Sequence, residues 1–122
     1  MYDATCIDKN RKHMKAEKGN LFENMPAVIS EELFESLVEQ KGLKIERIVS
    51  QGHSTPPGEW YGQPWDEWVL LLQGEAKIGY ADGQIIKMEA GDYLRIPACA
   101  RHRVEWTPPD THTVWLAIHY AT

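Results

Sequence analysis

From residue 43 to the C-terminus, apolar and polar positions follow one another in short runs, broken every few residues by Gly, Pro or Asp. LKIERIVS (43–50) alternates, with Ile48 and Val49 shifting the phase. EWVLLLQG (67–74) is a continuous apolar run of strand length. EAKIGYADGQIIKME (75–89) places Asp82-Gly83 between two strand-like arms. A type I′ hairpin turn prefers such a pair, because both of its central residues take positive φ. AGD turns into YLRIP, ACAR turns into HRVEW, TPPDT forms a loop that consecutive prolines keep out of any ladder, and HTVWLAIHY closes the chain. Many short strands with such turns predict an all-β sandwich or barrel.

The N-terminal third is less regular. SEELFESLVEQKG (30–42) fits two structures. As a short helix, Ser30 is the N-cap, Glu31 and Glu32 lie at the positive end, Leu33, Phe34, Leu37 and Val38 share a face, and Gly42 stops it. As a strand, ELFESLV pairs with LKIERIVS in a hairpin around Lys41-Gly42. The local signals favour the helix. NLFENMPAV (20–28) is expected to pack against the body as an edge strand.

At 122 residues, with 43% hydrophobic and 25% charged side chains, the chain has the size and composition of one folded domain. The formal charge of −5 argues against a nucleic-acid partner, since phosphate binding needs a basic face. That charge is unevenly spread. Residues 1–18 carry five basic and three acidic groups, leaving eight basic against fifteen acidic in the rest. We therefore divide the chain into a basic, poorly ordered arm (1–18) and a barrel domain (19–122). No stretch is apolar for long enough to span a membrane, and charges stand where a signal peptide has its apolar segment. Cys6 and Cys99 form no CxxC and read as reduced thiols, so the expected location is the cytoplasm.

Two stretches share a spacing pattern. In EWVLLLQGEA, Glu67 is followed after six residues by Gly74. In GDYLRIPACARH, Gly91 is followed after five residues by Pro97, and then by His102. This resembles the cupin superfamily, whose motifs are G-(x)5-H-x-H-(x)3-4-E-(x)6-G and G-(x)5-P-x-G-(x)2-H-(x)3-N. The resemblance covers roughly residues 43–120. It implies a double-stranded β-helix, or jelly-roll barrel, and it favours the strand form of 32–39, because cupins usually begin with a β-hairpin. It further implies a homodimer, and a barrel that binds a small molecule around a divalent metal (Fe, Mn, Ni or Zn).

The departures from the pattern bear on chemistry. The two first-motif histidines fall on Trp60 and Gly62 or on Tyr61 and Gln63, depending on the spacer, and neither pair contains a histidine. Cys99 and Trp106 replace the second motif's Gly and Asn. Glu67 and His102 match the family's carboxylate and late histidine. A catalytic divalent metal takes about three protein ligands and an open position, so a third is required. His53, at the far end of the loop before Trp68, is the candidate, giving a metal set of His53, Glu67 and His102. Asp66 points away from whichever face Glu67 takes. His119 reads as a structural residue. Trp60, Tyr61 and Trp65 are candidates for a pocket rim, and Arg95, Arg101 and Arg103 for contacts to a carboxylate or phosphate. Two functions are consistent with these residues: a metal-dependent enzyme of the dioxygenase, isomerase or decarboxylase type, or a non-catalytic small-molecule-binding barrel that has lost its metal.

Overall fold

The computed structural model describes residues 15–121; the basic arm 1–18, apart from the exposed residues 15–18, and Cys6 with it, lies outside the described residues. Eight strands are formed: β1 (Leu33–Gln40), β2 (Leu43–Ser50), β3 (Asp66–Gln73), β4 (Glu75–Tyr80), β5 (Ile85–Glu89), β6 (Tyr93–Ile96), β7 (His102–Trp106) and β8 (Thr113–Tyr120). They build two antiparallel sheets, one ordered β1-β2-β8-β3-β6 and the other β5-β4-β7. The chain passes between the sheets after β3, β5, β6 and β7, which is the jelly-roll arrangement. Among the described residues no helix forms, and so none is long and apolar enough to cross a membrane.

The helix that local signals favour at 30–42 is therefore not formed. Leu33–Gln40 pairs along its length with β2, with a bulge between Ser36 and Val38. Ladder hydrogen bonds with β2 outweigh the helix cap and periodicity. The apolar side chains of β1 do not enter the core: Phe34, Leu37 and Val38 are 40–54% exposed. Residues 20–31 form turns and bends rather than an edge strand. They are tied to the body by Arg47, which is 2% exposed and donates to the carbonyl oxygens of Leu21 and Glu23 and to Glu35.

The core lies between the sheets, where Val69, Leu71, Ala76, Ile78, Met88, Ile96 and Trp115 pack together. Alternation along each strand decides who enters it. On β3, Val69 and Leu71 point inward, and Glu67 shares their side. The apolar run of β3 does not mean equal burial on both faces: Trp68 is half-buried and stacks on Tyr93, with ring centroids 5.5 Å apart. Trp106 is 38% exposed beneath Lys77, so it is not a core residue.

β8 lies between β2 and β3, so that Glu67 is level with His119 on one side and Lys44 is level with it on the other. The C-terminal strand thus runs through the middle of the larger sheet, and its inward side chains end up in the middle of the molecule.

Candidate functional site

The loop from Gln51 to Trp65 lies along β7 almost as a further strand. Tyr61 and His102 exchange both backbone hydrogen bonds, at 2.8 and 2.9 Å. Thr55 accepts from Val104 through its hydroxyl and donates to the Val104 carbonyl from its backbone. The Thr107 hydroxyl donates to the carbonyl of His53, and the Cys99 N–H donates to the carbonyl of Gln63. Strand parity then places Tyr61 and Gln63 on the inward side and Gly62 outward, against Arg101.

Those two side chains, with Glu67, His102 and His119, surround a cavity of about 120 Å³. Its floor is apolar, made by Val69, Ile78, Ile96 and Trp115, and Glu32, Phe34 and Glu46 line its β1–β2 side. A wider groove of about 580 Å³ continues outward from it past Trp65, Lys44 and Tyr120, sharing Phe34, Glu46, Tyr61, Gln63 and His119.

Glu67 is 9% exposed and accepts a 2.7 Å hydrogen bond at Oε1 from the Gln63 amide. His102 is 6% exposed. Its Nδ1 lies 2.9 Å from the carbonyl oxygen of Ala100. A carbonyl only accepts, so Nδ1 carries a proton and donates to it, and Nε2 is left facing the cavity. That Nε2 sits 3.7 Å from Glu67 Oε1, too far for a hydrogen bond. The imidazole lies between the rings of Tyr61 and Tyr80, at 5.9 and 6.3 Å. Both phenols are held above their usual pKa, first by burial and then by nearby carboxylates, with Glu67 acting on each.

A second array sits beside the first. The Trp65 indole N–H donates to His119 Nδ1 at 2.9 Å, and His119 Nε2 faces Glu46 Oε1 at 3.0 Å. The hydrogen bond to Glu46 holds His119 above the ordinary histidine pKa, against the effect of burial. Burial pushes the Glu46 carboxyl up, but the hydrogen bond from His119 and the charge of Lys44 outweigh it and leave the group below its ordinary value.

The structure sorts the residues expected from sequence. Glu67, His102 and Tyr61 come together at the inner cavity, and Trp65 stands at its outer groove. His53 does not join them. Its Nδ1 accepts from the backbone N–H of Gln51 at 2.8 Å, its Nε2 faces the carbonyl of Ser30, and it lines neither cavity. Its ring closes a turn, which is why it stays at the surface. Asp66 points to the opposite face from Glu67 and accepts from Ala98 N–H. The three arginines also point outward. Arg95 is exposed near Asp66, while Arg101 and Arg103 lie over the Trp60 ring at 5.6 and 5.8 Å. Trp60 is thus covered by arginines rather than facing the pocket. Gln63, Glu46, Glu32 and His119 belong to the site instead. Gln63 was one of the two candidate motif positions, but the other three lie on β2, β8 and the entry to β1, far from the motifs in sequence.

A divalent metal held for catalysis needs about three protein donors. Two strong donors converge here, Glu67 and His102, and Tyr61 and Gln63 stand at the places of the family's two other histidines. Among the described residues no group of three His, Cys, Asp or Glu side chains is placed to hold an ion. The residues present therefore do not fit a resident metal.

Comparison with known proteins agrees with the architecture. The cupin domain matches residues 47–119. The chain is similar to a protein of Ralstonia eutropha JMP134 named a putative mannose-6-phosphate isomerase, with 47% identity, a TM-score of 0.84, and coverage of 88% of this chain and 100% of that one. A cupin superfamily protein of Desulfitobacterium hafniense DCB-2 is 24% identical with a TM-score of 0.67, covering 80% of this chain and 84% of its own. A conserved protein of unknown function from Streptococcus pyogenes is 19% identical with a TM-score of 0.70, covering 90% and 91%. No curated protein matches the chain.

Proposed function

The chain belongs to the cupin family, and from that premise we propose that it is a small-molecule-binding barrel that works without a resident metal. One observation carries this reading: where the family's motif supplies two histidines, this chain has Tyr61 and Gln63, and the Gln63 amide donates to Glu67. An amide N–H occupies a lone pair of the carboxylate where a histidine of the family's motif would stand beside it. The cavity then has the make-up of a ligand pocket, with an apolar floor and a few polar groups at one side. Tyr61, Gln63, Glu67 and His102 would hold the polar end of the ligand, and Phe34 and Trp65 would border its entrance.

The experiment is metal analysis of tag-free protein, together with thermal-shift screening of small molecules. The reading expects well under one equivalent of Fe, Mn, Ni or Zn and unchanged melting after chelation. Stoichiometric metal that is lost in both Glu67→Gln and His102→Ala would overturn it.

A second reading is supported by the Glu67–His102 pair itself. An imidazole whose Nδ1–H is fixed by a carbonyl is oriented as metal-bound histidines are, and the 47% identical relative carries the name of an isomerase. On that reading the chain is a metal-dependent enzyme, with Glu67 and His102 as ligands. The same metal analysis decides between the two. Self-association is proposed as well: β1 is the edge of its sheet and exposes Phe34, Leu37 and Val38. A monomer mass in light scattering would refute it.

A further inference from the structure

We propose that the ligand of this cavity is a compact organic cation, an amine with an apolar body, and not a phosphorylated or carboxylated molecule; this rests on the binding function proposed above. Three carboxylates line the inner cavity, Glu32, Glu46 and Glu67, and among the described residues no arginine or lysine does. Their partners differ. Glu46 is matched by His119 Nε2 at 3.0 Å and by Lys44 at 3.5 Å. Glu32 accepts from the Ser50 hydroxyl and Glu67 from the Gln63 amide, both neutral donors. Among the described residues, therefore, neither Glu32 nor Glu67 is paired with a lysine or arginine.

The second observation is the open position at His102 Nε2. The His102 lone pair at Nε2 has no donor among the described residues, although the side chain is buried and lines the cavity. It stands 3.7 Å from a carboxylate oxygen. Glu67 Oε1 already accepts from the Gln63 amide, so the open position of the pair is His102 Nε2. An ammonium group has three donors and no acceptor, so it can bridge Nε2 and Oε1 and reach a third acceptor as well. A phosphate or carboxylate offers only acceptors and would add charge to an already negative site. The arginines that could have received an anion are turned to the outer surface, where Arg101 and Arg103 lie over Trp60. The size of the cavity bounds the ligand body. About 120 Å³ is close to the ~150 Å³ engineered cavity that holds benzene, so the buried part is about one ring or a short branched chain, and anything larger extends into the outer groove.

The test compares three probes of one shape, benzylamine, benzyl alcohol and benzoate, with mannose 6-phosphate as a phosphorylated control. Binding is measured by calorimetry at low salt and neutral pH in the presence of chelator. The inference expects benzylamine to bind about tenfold tighter than benzyl alcohol, the gain from turning a neutral hydrogen bond into a charge-assisted one. It expects no binding of benzoate or the sugar phosphate. Glu67→Gln should lower the amine's affinity more than the alcohol's, so that most of the amine's advantage is lost. Glu32→Gln, at the more exposed side, checks the charge argument should Glu67→Gln fold poorly. Benzoate or mannose 6-phosphate binding as tightly as benzylamine would overturn the charge assignment and leave the binding function standing. Failure of all four probes at millimolar concentration would overturn both.

Discussion

Gly74 gives a sharp test of how the sheets are joined. It is the single residue between β3 and β4, and its φ is +91°, a region that side-chain-bearing residues rarely enter. A Cβ built there would lie 2.6 Å from the Thr113 hydroxyl and 2.9 Å from its Cα. Thr113 is fully buried and begins β8, the strand that carries His119. Backbone cannot swing aside as a flexible side chain can, so Gly74→Ala has two costs. Backbone strain contributes about 1–3 kcal/mol. Forcing β8 away from the turn adds about 1–3 kcal/mol, the range for overpacked sites. Gly83→Ala isolates the first cost, since its φ is +95° but nothing lies within 4 Å of the added carbon. The assay is urea denaturation of both variants followed by far-UV circular dichroism. With a slope of about 1.5 kcal/mol/M, the extra penalty lowers the Gly74→Ala midpoint by about 1–2 M relative to Gly83→Ala. Equal midpoints would refute the claim that close packing of Thr113, and not φ alone, dictates glycine at 74.

Arg47→Met should cost about 2–3 kcal/mol, because it removes charge-assisted hydrogen bonds to two backbone carbonyls and to Glu35; limited proteolysis should then cut first within residues 20–31, and protection equal to the parent's would contradict the proposed tether. The Glu46–His119 pair should make stability depend on pH at both ends. His119 is raised, so its contribution is present at low pH and lost as pH rises through its folded pKa. Glu46 is lowered, so its contribution is present above its ordinary value of 4.5 and lost as pH falls through its folded value. The gain therefore lies between the two, and Glu46→Gln should flatten the melting-temperature profile there; a profile identical to the parent's sinks the assignment. Protonating His119 also places a proton on Nδ1, where the Trp65 indole N–H now donates. The Trp65 indole proton resonance should accordingly shift as pH falls through the His119 titration, and a static resonance would show that Trp65 is held by something else.

Much of this architecture was legible in the chain. Asp82-Gly83 lies in the hairpin between β4 and β5, but only Gly83 takes positive φ, so the turn is not the type I′ expected; the short apolar runs become the strands of a jelly roll because each is bounded by residues that stop a ladder. Glu67 and His102 come together as the motif spacing implies. The outward turn of Arg101 and Arg103 was also available, since the parity that brings His102 inward must turn its neighbours out. Other features depended on contacts that no local window contains. Residues 33–40 carry helix periodicity, yet their hydrogen-bonding partners in β2 decide the matter. The positions of His53 and His119 depended on such contacts too. The ring of His53 is used up by backbone groups a few residues away and across the loop, whereas His119 reaches the cavity only because β8 is inserted between β2 and β3.

Alternation and turn chemistry act over a few residues, so the sequence by itself determined the strands from β2 onward and the two motif residues that meet. Which side chains from distant strands share the cavity depends on strand order and register, set by the packing of the whole sheet. Only the tertiary structure could therefore decide that Gln63 rather than Gly62 stands beside Glu67, that Glu32 and Glu46 line the same pocket, and that the arginines lie outside it.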